Sequence, residues 1–141
     1  MKNEVNVTFP AILENTSLAR LIITGILSPL DIDTQQITEI QTVVSEAVTN
    51  AIIHGYEGNP SGIVELNAIL DQQRLHVVVK DNGIGIDDIE QAKQPLFTTK
   101  KEEERSGLGF LIIESFTDEF KVISEPGVGT TVTVVREIVL C

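Results

Sequence analysis

Apolar positions recur at two spacings along this chain, and the change from one to the other marks its elements. Val5, Val7 and Phe9 alternate with Asn6 and Thr8, which predicts a first strand over 5–9, closed by Pro10. From 15 to 27 the period lengthens to that of a helix. Leu18, Leu21, Ile22 and Ile26 are its expected apolar face, and Ser28-Pro29 its stop. Asp33 is placed to cap a second helix, with Gln36 as capping-box partner, running to about Gly55. Asn59-Pro60-Ser61-Gly62 is a turn. Residues 64–70 and 75–80 read as neighbouring strands joined around Asp71-Gln72-Gln73. A short helix over 87–92, a loop over 94–105 and a helix over 107–116 follow. Strands over 120–124 and 130–135 flank the turn Pro126-Gly127-Val128-Gly129. The predicted class is α+β: a mixed, mainly antiparallel sheet with helices on one face. No repeat, low-complexity segment or linker is visible, so one domain over 1–141 is expected.

The apolar pattern of the second helix runs almost all round, through Val43, Val44, Ala47, Val48, Ala51 and Ile52. Such a helix is largely buried. Glu46, Asn50 and His54 interrupt it at i, i+4 and i+8 as one polar stripe. The stripe must line a cavity or be satisfied internally; taken alone, the helix leaves the two readings even. Asp81 follows the strand and precedes Gly83 and Gly85. By itself this segment reads as a turn, although the glycines also permit close approach of a ligand. Gly107-Leu108-Gly109 opens a helix, where free backbone N–H groups favour an anion. Gly127-Val128-Gly129-Thr130 reads alone as a hairpin turn. In this order, with Thr98-Thr99-Lys100 before the glycine pair, the segments make up a kit for ATP with a divalent cation.

Composition narrows the choices. A chain of 141 residues, 42% hydrophobic, can bury a full core. A formal net charge of −11 argues against direct nucleic-acid binding. Lys93, Lys100, Lys101 and Arg105 nevertheless lie close together. They form either a solvated loop, as Glu102, Glu103 and Glu104 suggest, or a phosphate-facing lid, which the following glycines favour. The one cysteine, Cys141, leaves no internal disulfide and fits a reducing compartment. The start has no apolar stretch of signal-peptide length, and no run is long enough for a membrane helix. The expected location is cytoplasmic, with no membrane partner. His54 and His76 lack zinc-ligand spacing, so a metal here would be hard and oxygen-bound, Mg²⁺ being the natural candidate.

Glu46…Asn50, Asp81-x-Gly83-x-Gly85, Gly107-x-Gly109 and Gly127-x-Gly129-Thr130 resemble, in order, the four boxes of the ATPase/kinase superfamily shared by gyrase, Hsp90, histidine kinases and MutL. That superfamily has the Bergerat fold, a two-layer α/β sandwich. The match spans 46 to 131. The phosphoacceptor helical hairpin of a sensor kinase and the transducer domain of gyrase or MutL have no counterpart in the sequence. Residues 45–56 and 94–100 are similar to the bacterial anti-sigma factor serine kinases, most of all their sporulation branch, with the stress-response (sigma B) branch as the neighbouring alternative.

The resemblance implies an ATP-dependent protein-serine kinase that sequesters a sigma factor of the F type. It also implies phosphorylation of a serine on an anti-anti-sigma protein, and a homodimer. Glu46 would accept the proton of the attacking hydroxyl. Asn50 would offer its neutral oxygen to Mg²⁺. Asp81 would accept from the adenine amino group, supported by Thr130, with Gly83 and Gly85 in the same loop. Thr98, Thr99, Lys100 and Arg105 would cover the triphosphate, Arg105 as a catalytic cation able to bind phosphate bidentately. Gly107, Leu108 and Gly109 would present backbone N–H groups. His54 would line the pocket or pack. Arg20, on the first helix, is the candidate partner contact. A plain ATPase, with Glu46 activating water, and a nucleotide-switched binding module are the competing readings.

Overall fold

Alternation builds the sheet. In β2 (Ile63–Asp71) Val64, Leu66, Ala68 and Leu70 are buried, and in β3 (Arg74–Asp81) Leu75, Val77, Val79 and Asp81 are. The computed structural model describes residues 1–93 and 109–141. It adds β1 (Lys2–Pro10), β4 (Glu119–Glu125) and β5 (Gly129–Glu137), giving the order β1-β2-β3-β5-β4. Each neighbouring pair is antiparallel. The expected mixed sheet is therefore antiparallel at every pairing among the described residues. The β4–β5 hairpin returns the chain between β3 and β4, in a direction opposite to both.

Helices cover one face: α1 (Asn15–Leu27), α2 (Thr34–Asn50) and α4 (Gly109–Ser115), with the four-residue α3 (Ile89–Ala92) before the undescribed segment. The bounds of α1 match the expectation, but of the expected inward face only Ile26 is fully buried. Ala19, Ile23, Ile26 and Leu27 are buried, whereas Leu18 and Leu21 are exposed and Ile22 is half-buried. The helix is apolar on several sides, so spacing alone allows either face. The close packing of α1 on α2 selects the side carrying small Ala19.

α2 begins as predicted, with the Asp33 carboxylate accepting from the Gln36 N–H at 2.7 Å. The second half of the capping box does not form. The Gln36 amide instead donates to Val139 O and accepts from the Val139 N–H, both at 2.8 Å. The segment after β5 has no strand neighbour, and a carboxamide can satisfy both of its backbone groups. The Cys141 N–H donates to Asp31 O at 2.9 Å, and Arg136 pairs with Glu39 at 2.9 Å while also donating to Phe116 O. The C-terminal segment is thus pinned across the start of α2.

The far end of α2 departs from ideal geometry. Residues Ala51–Gly55 form a π turn, closed by Tyr56 N–H to Ala51 O at 3.0 Å. Helical chain does reach Gly55, but its last turn is wider than an α turn. Such turns recur at functional sites.

Candidate nucleotide site

Three pieces of chain meet where α2 ends. Glu46 and Asn50, four residues apart on α2, are both half-buried amid buried Ala47, Val48 and Ala51. His54 is also half-buried but lies in the π turn, so the regular 3.6-residue stripe holds from Glu46 to Asn50 and is interrupted before His54.

The second piece is the end of β3. Asp81 is 3% exposed and stands opposite Thr130, itself 4% exposed, in the β3–β5 register. Burial raises the Asp81 pKa above its ordinary value, and backbone N–H donors from Gly83 and Thr130 oppose that rise in part. The Gly83 bond is 2.9 Å long and closes a tight turn on the carboxylate. A buried carboxylate that keeps its charge needs donors, and one supplied by a ligand amino group suits this acceptor.

Glycine is required at several positions around it, two of them where the loop meets the helix end. A Cβ on Gly55 would stand 2.7 Å from the Asp81 carboxylate, and one on Gly83 would stand 1.9 Å from Gly55 O. These contacts fit a loop laid flush against the helix end, where any side chain would displace the carboxylate. Gly85, at φ +77°, turns the loop away, and the Ile84 N–H donates to Gly55 O at 2.9 Å.

The third piece is the β4–β5 turn. Gly127 N–H donates to Ile84 O at 2.7 Å, so the segment that resembles a plain hairpin turn also braces the Asp81 loop. Ser124, which sequence reading passes over, is central here. Its hydroxyl lies 2.8 Å from Thr130 Oγ1 and accepts from the Ile86 N–H at 2.7 Å. Gly55 and Tyr56 stand out in sequence only as the end of the second helix and of its motif, because nothing local marks them as neighbours of Asp81.

The structure thus brings Asp81, Gly83, Gly85 and Thr130 together at the end of the π turn. Gly109 opens α4. Thr98, Thr99, Lys100, Arg105, Gly107 and Leu108 lie outside the described residues, as does the expected lid. Lys93, the described member of the basic run, places Nζ 5.2 Å from the Phe120 ring centroid. Arg20 stands apart on α1 and is half-buried. Its guanidinium donates to Ser17 and to Ser45, both at 2.9 Å, the second reaching the residue before Glu46. Among the described residues no cluster of three or more His, Cys, Asp or Glu could hold a metal, and no helix is long and apolar enough to cross a membrane.

Comparison with known proteins gives the family and the fold. Residues 9–136 match the histidine kinase-like ATPase domain. The chain is 54% identical to the anti-sigma F factor of Halalkalibacterium halodurans over 94% of its length and 90% of that protein's. It is 50% identical to that of Shouchella clausii over 98% and 94%, respectively. Among solved structures, the RsbU and RsbW domains of a Mycobacterium tuberculosis protein superpose with a TM-score of 0.67 at 20% identity, covering 96% of this chain and 32% of that one. The catalytic domain of histidine kinase ThkA gives 0.60 at 18%, covering 95% and 96%. The two structures speak for the fold alone.

Proposed function

This chain belongs to the histidine kinase-like ATPase domains, in the family of the anti-sigma F factors, and from that premise we propose that it is a protein-serine kinase as well as a sigma-factor antagonist. The observation that carries the reading is identity above 50% over nine-tenths of a relative named for its action on a sigma factor. The buried Asp81–Thr130 pair beside the end of α2 supports it.

In this reading Asp81 accepts from the adenine amino group, and Thr130, held by Ser124, supports the same edge. Asn50 offers a neutral oxygen to Mg²⁺ between phosphates. Its place one turn from Glu46 fits that task, because a carboxamide adds no charge beside the carboxylate. Bound Mg²⁺ would offset phosphate charge. Glu46 takes the proton from an attacking serine hydroxyl on an anti-anti-sigma protein. On the resemblance, Thr98, Thr99, Lys100, Arg105 and the backbone of Gly107, Leu108 and Gly109 serve the triphosphate, and His54 lines the pocket. Arg20, on the same helix as exposed Leu18 and Leu21, is the cation of α1, and this helix suits docking of the sigma factor and the substrate protein. A homodimer in the cytoplasm completes the proposal.

The test is incubation with labelled ATP, with and without an anti-anti-sigma protein. Label on a serine of that protein supports the kinase; free phosphate alone supports an ATPase. Glu46→Gln preserves shape and removes the base, so phosphotransfer should fall by about 10²–10⁴ while ATP binding persists. Wild-type turnover in that variant would take the role from Glu46.

A further inference from the structure

Tyr56 links two of the pieces that meet at the site, the helix end and the loop after Asp81. Its hydroxyl accepts from the Asn82 N–H at 2.7 Å and donates to Ile63 O at 2.5 Å. One side chain thus ties the residue after Asp81 to the first residue of β2. The ring has a fixed seat, for a Cβ on Gly62 would meet it at 2.4 Å. The π turn sets the geometry. By closing Ala51 to Tyr56 rather than Ala51 to Gly55, it places Gly55 under the Asp81 carboxylate and Tyr56 beside Asn82. Gly55 O takes the Ile84 N–H, so residues 82 and 84 of the loop are fastened to consecutive residues of the helix end.

We infer that Tyr56 is a positioning residue for base selectivity: its hydroxyl, with Gly55, fixes the loop that aims the Asp81 carboxylate, and so sets the preference for adenine over guanine nucleotides. The inference rests on the nucleotide reading of Asp81. A 6-amino group offers Asp81 a donor, whereas a 6-oxo group offers a second acceptor and repels it. That discrimination requires a carboxylate fixed in direction. Loosening Asn82 leaves the phosphate-side groups in place and blunts the angular requirement on the base alone.

The experiment measures ATP and GTP affinity by calorimetry or competition on wild type, Tyr56→Phe and Gly62→Ala. Tyr56→Phe keeps the ring and loses both hydrogen bonds. Gly62→Ala keeps the hydroxyl and pushes the ring from its seat. Both variants should bind ATP about three- to tenfold more weakly, the effect of one or two lost hydrogen bonds. GTP affinity should change little, so the ATP/GTP ratio should fall by the same factor. A purely structural hydroxyl would lower the thermal midpoint and leave the ratio at its wild-type value. A wild-type ratio in either folded variant overturns the inference. A wild-type protein that binds neither nucleotide instead removes the nucleotide reading beneath it.

Discussion

Asp81 is stationed where ionisation is penalised by burial and only partly repaid by two backbone donors. Its folded-state pKa lies above the unfolded value, so the folded chain retains that proton to higher pH. The stability owed to this group is therefore present below the ordinary aspartate range and is lost as pH rises through the raised pKa. Against an Asp81→Asn control, urea unfolding should show wild type losing relative stability across that window and levelling off above it. ATP affinity should move the other way. A protonated carboxyl cannot serve as a full acceptor, so affinity should weaken on acidification before ordinary aspartates titrate. Calorimetric affinity that stays constant down to the ordinary aspartate range would detach Asp81 from the base. The carboxylate and its glycines are legible in sequence, as a strand end followed by Asn-Gly. Their burial is not, because it depends on Gly55, Thr130 and Ser124, which arrive from other elements.

At the scale of elements, local signals set the boundaries and distant contacts set the exceptions. Asp33 and Ser28-Pro29 mark the ends of helices from within a few residues, and alternation marks β2 and β3 without outside help. The inward face of α1 and the π turn are settled by what packs against them. Gln36 is the plainest case, since its partner lies 103 positions away. Spacing suggests a capping box, while Val139, in the chain leaving β5, supplies a better use for the amide. Gln36 is 6% exposed and makes two hydrogen bonds to Val139 besides the backbone bond to Asp33. Gln36→Ala should lower stability by about 1–3 kcal/mol, two ordinary hydrogen bonds, with helix entry retained. Chemical denaturation gives the magnitude, and faster amide exchange at Val139 gives the location. Unchanged exchange there would show that other contacts hold the segment.

Taken whole, the molecule combines a net charge of −11 with a single arginine on the helix face proposed for docking. Arg20 reaches Ser45 on α2, so a partner engaging it touches the element that carries Glu46. Arg20→Glu should impair capture of the sigma factor and of the substrate protein together, with ATP affinity near wild type. A pull-down of each partner and a nucleotide titration on the same variant check this; normal capture of both partners would place docking elsewhere. On the proposed kinase reading, a product serine acquires about −1.5 to −2 of charge on phosphorylation. The chain's net charge of −11 repels it, so release should quicken as salt is lowered.

The pinned C-terminal segment has a practical use. The chain has one thiol, on the exposed Cys141, whose backbone is fastened to Asp31 just before α2. A maleimide dye or nitroxide would therefore attach at a single known point without any engineered cysteine. It would sit at the opposite end of α2 from Glu46 and Asn50, where it reports on the helix's anchorage without entering the candidate pocket.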